Sequence, residues 1–486
     1  MIIADEQLPA FHRRVDLNAL IEDYPVAEAF EQGVFRWPAD RIRDLQNRRF
    51  LHIVDVGWSN PFYRRRWTDA GLRRGDIRSL DDIGKLPLFT SDDIKDDQQA
   101  HPPLGQIHNL SRADLARGPF KLQASGGTTG KPRFTAFGPR DWALQGISSA
   151  RVLHIQGGRP GDVMQIPATC SLANLGWAYY NACHNFLGVL PLTTGSGVVT
   201  PTRKQLEIAF ELGTNLWLSF PEYLTHLAKV CRDELGRDVR ELNTRFLSTF
   251  LGPDTENRLR ATLEESWGCK AYDQYGTNEV GGGAFVCQAQ SGLHLMEDMA
   301  VFEFVDVESG LPVGDGETGN MVVTVLAREL PPIIRYNLRD LGRLVSAAPC
   351  ACGGRFRRMD HFLGRSDDMV KIRGVNIYPM GCLSAVKSDP RTTGEWLCIA
   401  ERRARDGTLR DELIVQVEVV RGAGLPDDLR AHLEQRLHSD LGVKVAVELV
   451  EEGALAAAAN FGREGKAKRL VDRRQAPAES ARSAEA

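Results

Sequence analysis

Leu216-Trp217-Leu218-Ser219-Phe220 is a short apolar run that gives way to a helical pattern over 221–235 and then to a second run, Phe246-Leu247-Ser248-Thr249-Phe250-Leu251. Runs of this length without polar alternation, bounded by turn residues, predict strands covered on both faces. The same unit recurs outward. Upstream lie apolar runs at 163–167 and 187–193, with a helical pattern at 202–212; downstream, a helical stretch over 255–267 leads to a run at 270–275. Strand and helix alternating at this spacing predict an α/β fold built on a mainly parallel sheet.

The flanking regions have other textures. Residues 1–120 read as mostly helical, with Leu88-Phe89-Thr90-Ser91-Asp92-Asp93 supplying a Ser or Thr helix cap. After 300, closely spaced strands at 301–307, 321–326, 333–337 and 343–346 predict a smaller antiparallel β subdomain. From Gly364, strands at 369–372, 395–400, 412–420 and 444–450 and a helix at 426–439 predict a small α+β unit. The expected division is therefore 1–364 (helical to 120, α/β over 121–299, β to 364), then 365–474, then a disordered Ala/Pro/Ser/Glu-rich tail at 475–486. No repeat of solenoid period is present.

Composition narrows the function classes. Sixty basic against 64 acidic residues in 486 give a net charge of −4, which is no footprint for nucleic acid. No apolar run approaches the roughly 18 residues that span a bilayer, so no membrane partner is expected. Asp5, Glu6 and Pro9 interrupt the stretch where a signal peptide needs an apolar core. Nine cysteines, an odd and scattered set, suit a reducing cytosol better than a disulfide framework. A cytoplasmic enzyme is the expectation.

Two glycine-rich segments compete as phosphate binders. In Ser125-Gly126-Gly127-Thr128-Thr129-Gly130-Lys131-Pro132, the glycines let backbone N–H groups approach an anion, the hydroxyls add donors, and Lys131 adds charge. It is not a Walker A loop: Ser125 stands where glycine is needed, and Pro132 where a magnesium-binding hydroxyl is needed. Gly314-Asp315-Gly316-Glu317-Thr318-Gly319 matches the dinucleotide string but lies between two strands, which predicts a hairpin connection.

The 125–132 loop resembles the phosphate loop of adenylate-forming enzymes, the superfamily of acyl- and aryl-CoA ligases, peptide-synthetase adenylation domains and luciferases. Four further segments follow in the family's order: Tyr275-Gly276-Thr277-Asn278-Glu279, Tyr336-Asn337-Leu338-Arg339-Asp340, Gly364 to Gly374, and Glu464-Gly465-Lys466-Ala467-Lys468-Arg469. Gly292-Leu293-His294 with Glu297-Asp298, Arg335-Tyr336, and Gly374-Val375-Asn376 before Pro379 resemble the phenylacetate–CoA ligase branch in particular. The resemblance spans roughly residues 80–474.

The resemblance implies ATP-dependent activation of a small aromatic carboxylic acid to an acyl-adenylate, then thioester formation with CoA. A carboxylate is a poor acyl donor; attack on the α-phosphorus of ATP supplies a leaving group, and the enzyme must hold two anions together. Glu279 is implied as the Mg²⁺ ligand, a hard oxygen donor for a hard cation. Tyr275 would stack on adenine and Asp340 would accept both ribose hydroxyls. Gly276, Thr277, Asn278, Arg365 and Lys371 would complete the nucleotide site. Lys466 is implied as the adenylation lysine and Asp367 as the hinge about which the small domain turns. Trp177, Tyr179 and Tyr180 with Gly195 and Gly197 correspond in order to the family's acyl-pocket helix and glycine turn.

Cys350-Ala351-Cys352 is a tight pair, with Cys287 and His294 upstream. Three thiolates and an imidazole form a closed tetrahedral zinc set, hence structural, and some members of the branch carry a similar set. Two departures bear on the acid and the acceptor: Asn278 replaces Ser or Thr, and Gly252-Pro253-Asp254 replaces the branch's Gly-Ala-Glu-Pro, which touches adenine and the acyl pocket. Other acceptors therefore stay open (a carrier-protein thiol, an amine, nitrite-type nitrogen activation in secondary metabolism), as does a catalytically silent ATP-binding regulator. Oligomeric state is also open, a homodimer included.

Overall fold

The computed structural model describes residues 9–125, 132–254, 256–346, 348–367, 370–372, 375–405, 408–455 and 469–474. Two compact units divide the chain, Met1–Leu251 with Leu259–His361, and Gly252–Arg258 with Phe362–Ala486.

The first unit begins with helices, among them Ala39–Ser59, Pro61–Asp69 and Ser91–Ala100. Ser91–Ala100 starts at the expected hydroxyl: Thr90 accepts from Asp92 N at 3.3 Å, and Asp93 accepts from Thr90 N at 2.7 Å. A hairpin follows, β1 (Lys121–Ser125) antiparallel to β2 (Arg133–Phe137). The helix Pro139–Gln156, buried along nearly its whole length, ends at Gly157, whose φ of +114° is a left-handed cap that favours glycine.

The apolar runs become β3 (Val163–Gln165), β4 (Leu190–Leu192), β5 (Leu216–Leu218), β6 (Phe246–Thr249) and β7 (Lys270–Thr277). β8 (Gly281–Val286) and β9 (Leu293–Leu295) follow, then β10 (Ala300–Val305), β11 (Gly319–Glu329), β12 (Pro332–Gly342), β13 (Leu344–Ser346) and β14 (Arg358–Met359). One nine-stranded sheet has the order β13-β14-β9-β8-β7-β6-β5-β3-β4. Strands β3 to β7 pair in parallel, and β8, β9, β14 and β13 extend the sheet antiparallel. β5 and β6 are buried at every residue because helices cover both faces. Leu206, Leu224, Leu227, Leu263 and Trp267 pack with Trp217 and Leu247 on one side, and Leu144 and Ile147 belong to the other core with Phe285 and Met296.

β10, β11 and β12 form the expected antiparallel group, with the 314–319 segment connecting β10 to β11. β13 does not join them. It pairs with β14, which itself pairs with β9, so the run at 343–346 belongs to the edge of the large sheet. Hydrophobic pattern marks a strand but not its partner.

The second unit holds β15 (Gly364–Arg365), the antiparallel pair β16 (Val370–Ile372) and β17 (Val375–Ile377), β18 (Thr392–Arg405), β19 (Thr408–Val419), β20 (Ala446–Glu451) and β21 (Leu470–Asp472). Its sheet runs β20-β19-β18-β21. Leu429, Leu433 and Leu437, four residues apart on the helix Asp427–Leu441, pack into a core with Trp396, Val415 and Val417. No helix among the described residues is long and apolar enough to cross a membrane.

Candidate active site

β7 carries the site out of the sheet. Its last turns hold Gln274, Tyr275, Gly276 and Thr277, and Asn278 and Glu279 lie in the connection to β8. Gly276 is required by close approach: a Cβ there would stand 2.4 Å from the carbonyl oxygen of Gly281. Thr277 Oγ1 accepts from Val280 N at 3.2 Å and ties the connection back on itself.

Tyr275 and Asp340, from separate strands and 65 residues apart, meet: Tyr275 Oη donates to Asp340 Oδ2 at 2.6 Å, and both side chains are buried. The Glu279 carboxylate is also buried and is held by the Arg133 guanidinium from the start of β2. Arg328 lies behind them, its Nη1 donating to the carbonyl of Asn278 at 3.2 Å and its Nε to that of Pro331 at 3.1 Å. Burial pushes the Arg328 pKa down, and Asp141, Glu279 and Tyr63 oppose that shift. The result is a charge-alternating cluster of Arg133, Glu279 and Arg328 against the mouth of β7.

Beside it opens a cleft of about 120 Å³. One wall is Gln145 and Ser149 of the helix Pro139–Gln156, another is Asn174, Leu175, Ala178 and Tyr179, and the floor is Gln274 to Asn278. Tyr179 Oη donates to Gln274 Oε1, and Gln274 Nε2 donates to Ser248 Oγ at 3.0 Å. Burial in this network pushes the Tyr179 hydroxyl well above the ordinary tyrosine range. At one edge Lys121 Nζ donates to Asn174 Oδ1 at 2.8 Å and lies 4.6 Å from the Trp142 ring; burial pushes its ammonium down to about 8.

The expected pocket residues separate. Tyr179 lines the cleft. Trp177 is 37% exposed and donates its indole N–H to Ser171 O at 2.9 Å, and Tyr180 stacks on His184 at 5.4 Å. Gly195 and Gly197 lie in the loop after β4, Gly195 O accepting from Gln205 Nε2 and Gly197 facing Thr202 and Tyr223, and neither lines the cleft. A helix turns every 3.6 residues, so of three neighbouring aromatics one faces inward. Ser125 ends β1, whereas Gly126, Gly127, Thr128, Thr129, Gly130, Lys131 and Lys466 lie outside the described residues. In the second unit Arg365 and Asp367 pair with each other, Nε to Oδ1 at 2.8 Å and Nη2 to Oδ2 at 2.7 Å. Gly252 has φ +67°, and Lys371 sits on β16, its side chain outside the described residues.

Sequence reasoning missed Arg133, Gln145, Ser149, Asn174, Gln274 and Arg328. A readable signal existed for two of them: Gln145 and Ser149, four apart in a helix otherwise packed into the core, are polar residues on one face.

Cys287, His294, Cys350 and Cys352 bring one ligand atom each to within 4.8 Å of one another. Cys287 Sγ lies 3.7 Å from Cys350 Sγ, and Cys352 Sγ lies 3.5 Å from His294 Nε2. A tetrahedral zinc centre with bonds of about 2.3 Å to sulfur and about 2.0–2.1 Å to nitrogen has S···S and S···N edges of about 3.8 and 3.5 Å. His294 Nδ1 donates to Phe356 O at 3.1 Å, which leaves Nε2 as the bare nitrogen, and Gly354 N donates to Cys352 Sγ at 3.3 Å.

Known proteins agree with this architecture. The AMP-binding enzyme C-terminal domain family matches residues 374–474. A phenylacetate-coenzyme A ligase of Aromatoleum evansii is 31% identical over 447 residues, covering 90% of this chain and 95% of that one. Another, from Thermus thermophilus, is 29% identical and covers 90% and 98%. The crystal structure of a 2-hydroxyisobutyryl-CoA ligase in the postadenylation state, in complex with R3-HIB-AMP, superposes with a TM-score of 0.78 at 26% identity, 90% of each chain being covered. At 31% identity over 90% of its length to the first of these ligases, the chain belongs to the phenylacetate–CoA ligase family of adenylate-forming enzymes.

Proposed function

We propose that this protein activates an aromatic carboxylic acid with ATP and transfers the acyl group to CoA. The observation that supports the reading is Tyr275, hydrogen-bonded to Asp340 and lining a cleft together with Tyr179, Ala178, Leu175, Phe250 and Asn278, the residue before Glu279. The acid's carboxylate oxygen attacks the α-phosphorus and pyrophosphate leaves; the CoA thiol then attacks the acyl carbon, AMP leaves, and the thiol proton passes to solvent. Asp340 accepts the ribose hydroxyls, and the Tyr275 ring offers a stacking face for adenine. Lys131 and Lys466 balance charge on the phosphate oxygens, and the small unit, 365–474, turns about Asp367 between the half-reactions.

The donor set suits two metals. Glu279, with Oε1 engaged by Arg133, keeps Oε2 for magnesium, which would neutralise phosphate charge. The Cys287–His294–Cys350–Cys352 set is closed and soft, and its edges match tetrahedral zinc; we assign it a structural zinc. Nine free cysteines accord with work in a reducing, cytoplasmic compartment.

The test is acid-dependent pyrophosphate release over a panel of aromatic acids, with mass spectrometry of the product with and without CoA. Acyl-CoA is expected. Release that never yields acyl-CoA points to another acceptor, and no release with any acid points to a regulator. Lys466→Ala is expected to lose about 10²–10³ in adenylation rate with its melting temperature unchanged.

A further inference from the structure

β12 does not run evenly against β11. From Ile333 to Tyr336 it takes three steps where β11 takes two, Val325 to Val323; from Asn337 to Leu341 it takes four where β11 takes two, Val322 to Asn320. Each excess holds an arginine in the left-handed region, Arg335 at φ +62° and Arg339 at φ +58°. A bulky side chain in that region is strained and persists only where its surroundings hold it.

The surroundings of Arg335 do so. Its buried guanidinium pairs with Glu303 of β10, Nη2 to Oε1 at 2.9 Å and Nε to Oε2 at 3.2 Å. Its Nη1 donates to the carbonyls of Gly84 and Leu86 at 2.9 and 2.6 Å. The backbone is clamped as well: Arg335 N donates to Thr324 Oγ1 at 3.0 Å, Arg335 O accepts from Phe89 N at 3.3 Å, and Asn337 N donates to Phe89 O at 2.8 Å. Arg339 repeats the device, with Nη1 2.9 Å from Asp92 Oδ2 and Nη2 donating to Thr90 Oγ1 at 3.5 Å. The segment 84–92 is thus strapped along β12 by two strained arginines, and the residue after the second is Asp340. An excess of one residue reverses the face taken by the side chains that follow, whereas an excess of two does not. The bulge at Arg335 therefore sets the face from which Asp340 meets Tyr275 Oη at 2.6 Å.

We infer that Arg335, locked by Glu303, is a positioning residue for the nucleotide: it holds the bulge that presents the Asp340 carboxylate to the ribose hydroxyls. This rests on the adenylation reading above, in which Asp340 accepts those hydroxyls, and deepens it by naming what aims the carboxylate. Neither Arg335 nor Glu303 lines the cleft, so the pair acts through Asp340 and its effect is confined to the ribose.

The experiment compares kcat/KM for pyrophosphate release with ATP and with 2′,3′-dideoxy-ATP, in the full-length protein with the most active acid of the aromatic panel. Wild type is expected to favour ATP by about 10- to 100-fold, the loss of hydrogen bonds to a charged acceptor. Glu303→Gln removes the charge and one of the two oxygens that fix Arg335. It is expected to cut that preference about tenfold while KM for the acid moves less than about threefold. Asp92→Asn loosens the strap at its half-exposed end, where folding is not at stake, and is expected to cut the preference about threefold. A purely structural role lowers kcat/KM for both nucleotides alike. A preference left intact in Glu303→Gln overturns the inference; should that variant not fold, a preference left intact in Asp92→Asn overturns it. A wild type that uses both nucleotides equally removes Asp340 from the ribose and this inference with it, and no release with any acid overturns the adenylation reading itself.

Discussion

Replacing Cys352 with serine tests the metal assignment and yields a magnitude. The cluster joins the end of β8, β9 and the 350–354 knuckle, and it is seated in a core with Phe35, Phe285 and Phe356, the Phe35 ring lying edge-on to His294 at 5.0 Å. A bound ion would close the loop from His294 to Cys350, some 56 residues. By the loop-closure relation for a covalent cross-link, that restricts the unfolded chain by about 4 kcal/mol. For a unit of this size, at roughly 1.3 °C per kcal/mol, loss of the cross-link should lower the melting temperature by about 5 °C. Serine keeps the side-chain volume and removes the soft ligand, so packing changes contribute little. The assay pairs calorimetry with elemental analysis of tag-free protein, as purified, after chelator dialysis, and in the variant. The expected pattern is one zinc per chain in the wild type, much less in the other two, and the same drop in both. Pyrophosphate release measured well below the melting temperature should be unaffected, since no member of the cluster lines the cleft. Zinc-poor wild-type protein whose melting temperature ignores chelator would refute the reasoning.

Tyr275→Phe removes a hydrogen bond to a buried carboxylate, a class of interaction contributing about 1.5–3 kcal/mol; stability by urea unfolding should fall by that much while KM for ATP moves less than about threefold, because the ring face remains. A tenfold rise in KM contradicts a stacking role. Glu279→Gln should lower the adenylation rate by about 10²–10³ and raise the magnesium needed for half-maximal rate; an unchanged magnesium curve removes the carboxylate from that role. Lys121 offers a pH test. Its folded value near 8 lies below the unfolded value of about 10.4, so as pH falls through that window the unfolded chain takes up the proton first and the folded state loses stability. Wild type should therefore gain on Lys121→Met between pH 7.5 and 9.5 in urea midpoints, and parallel curves would show that burial does not perturb this lysine.

Much of the fold was legible because its signals are local. The helices at 202–212 and 221–235 appear with those bounds, and the strands of the parallel sheet fall within the apolar runs or overrun them slightly at β7. Runs such as 216–220 carry no polar alternation because both faces are covered, and that is visible without any partner. Partner choice was not legible. Nothing in Leu344-Val345-Ser346 distinguishes the edge of the large sheet from the small antiparallel group, since pairing is decided by where Arg358 and Met359 arrive from downstream.

The candidate site divides along the same physical line. Motif residues such as Tyr275, Glu279 and Asp340 announce themselves by type and spacing, because the chemistry of anion and ribose recognition restricts which residues can serve. Their partners do not. Arg133 is 146 residues from Glu279 in the chain and Gln145 is 129 from Gln274, and each earns its place only where the folded backbone brings the two together.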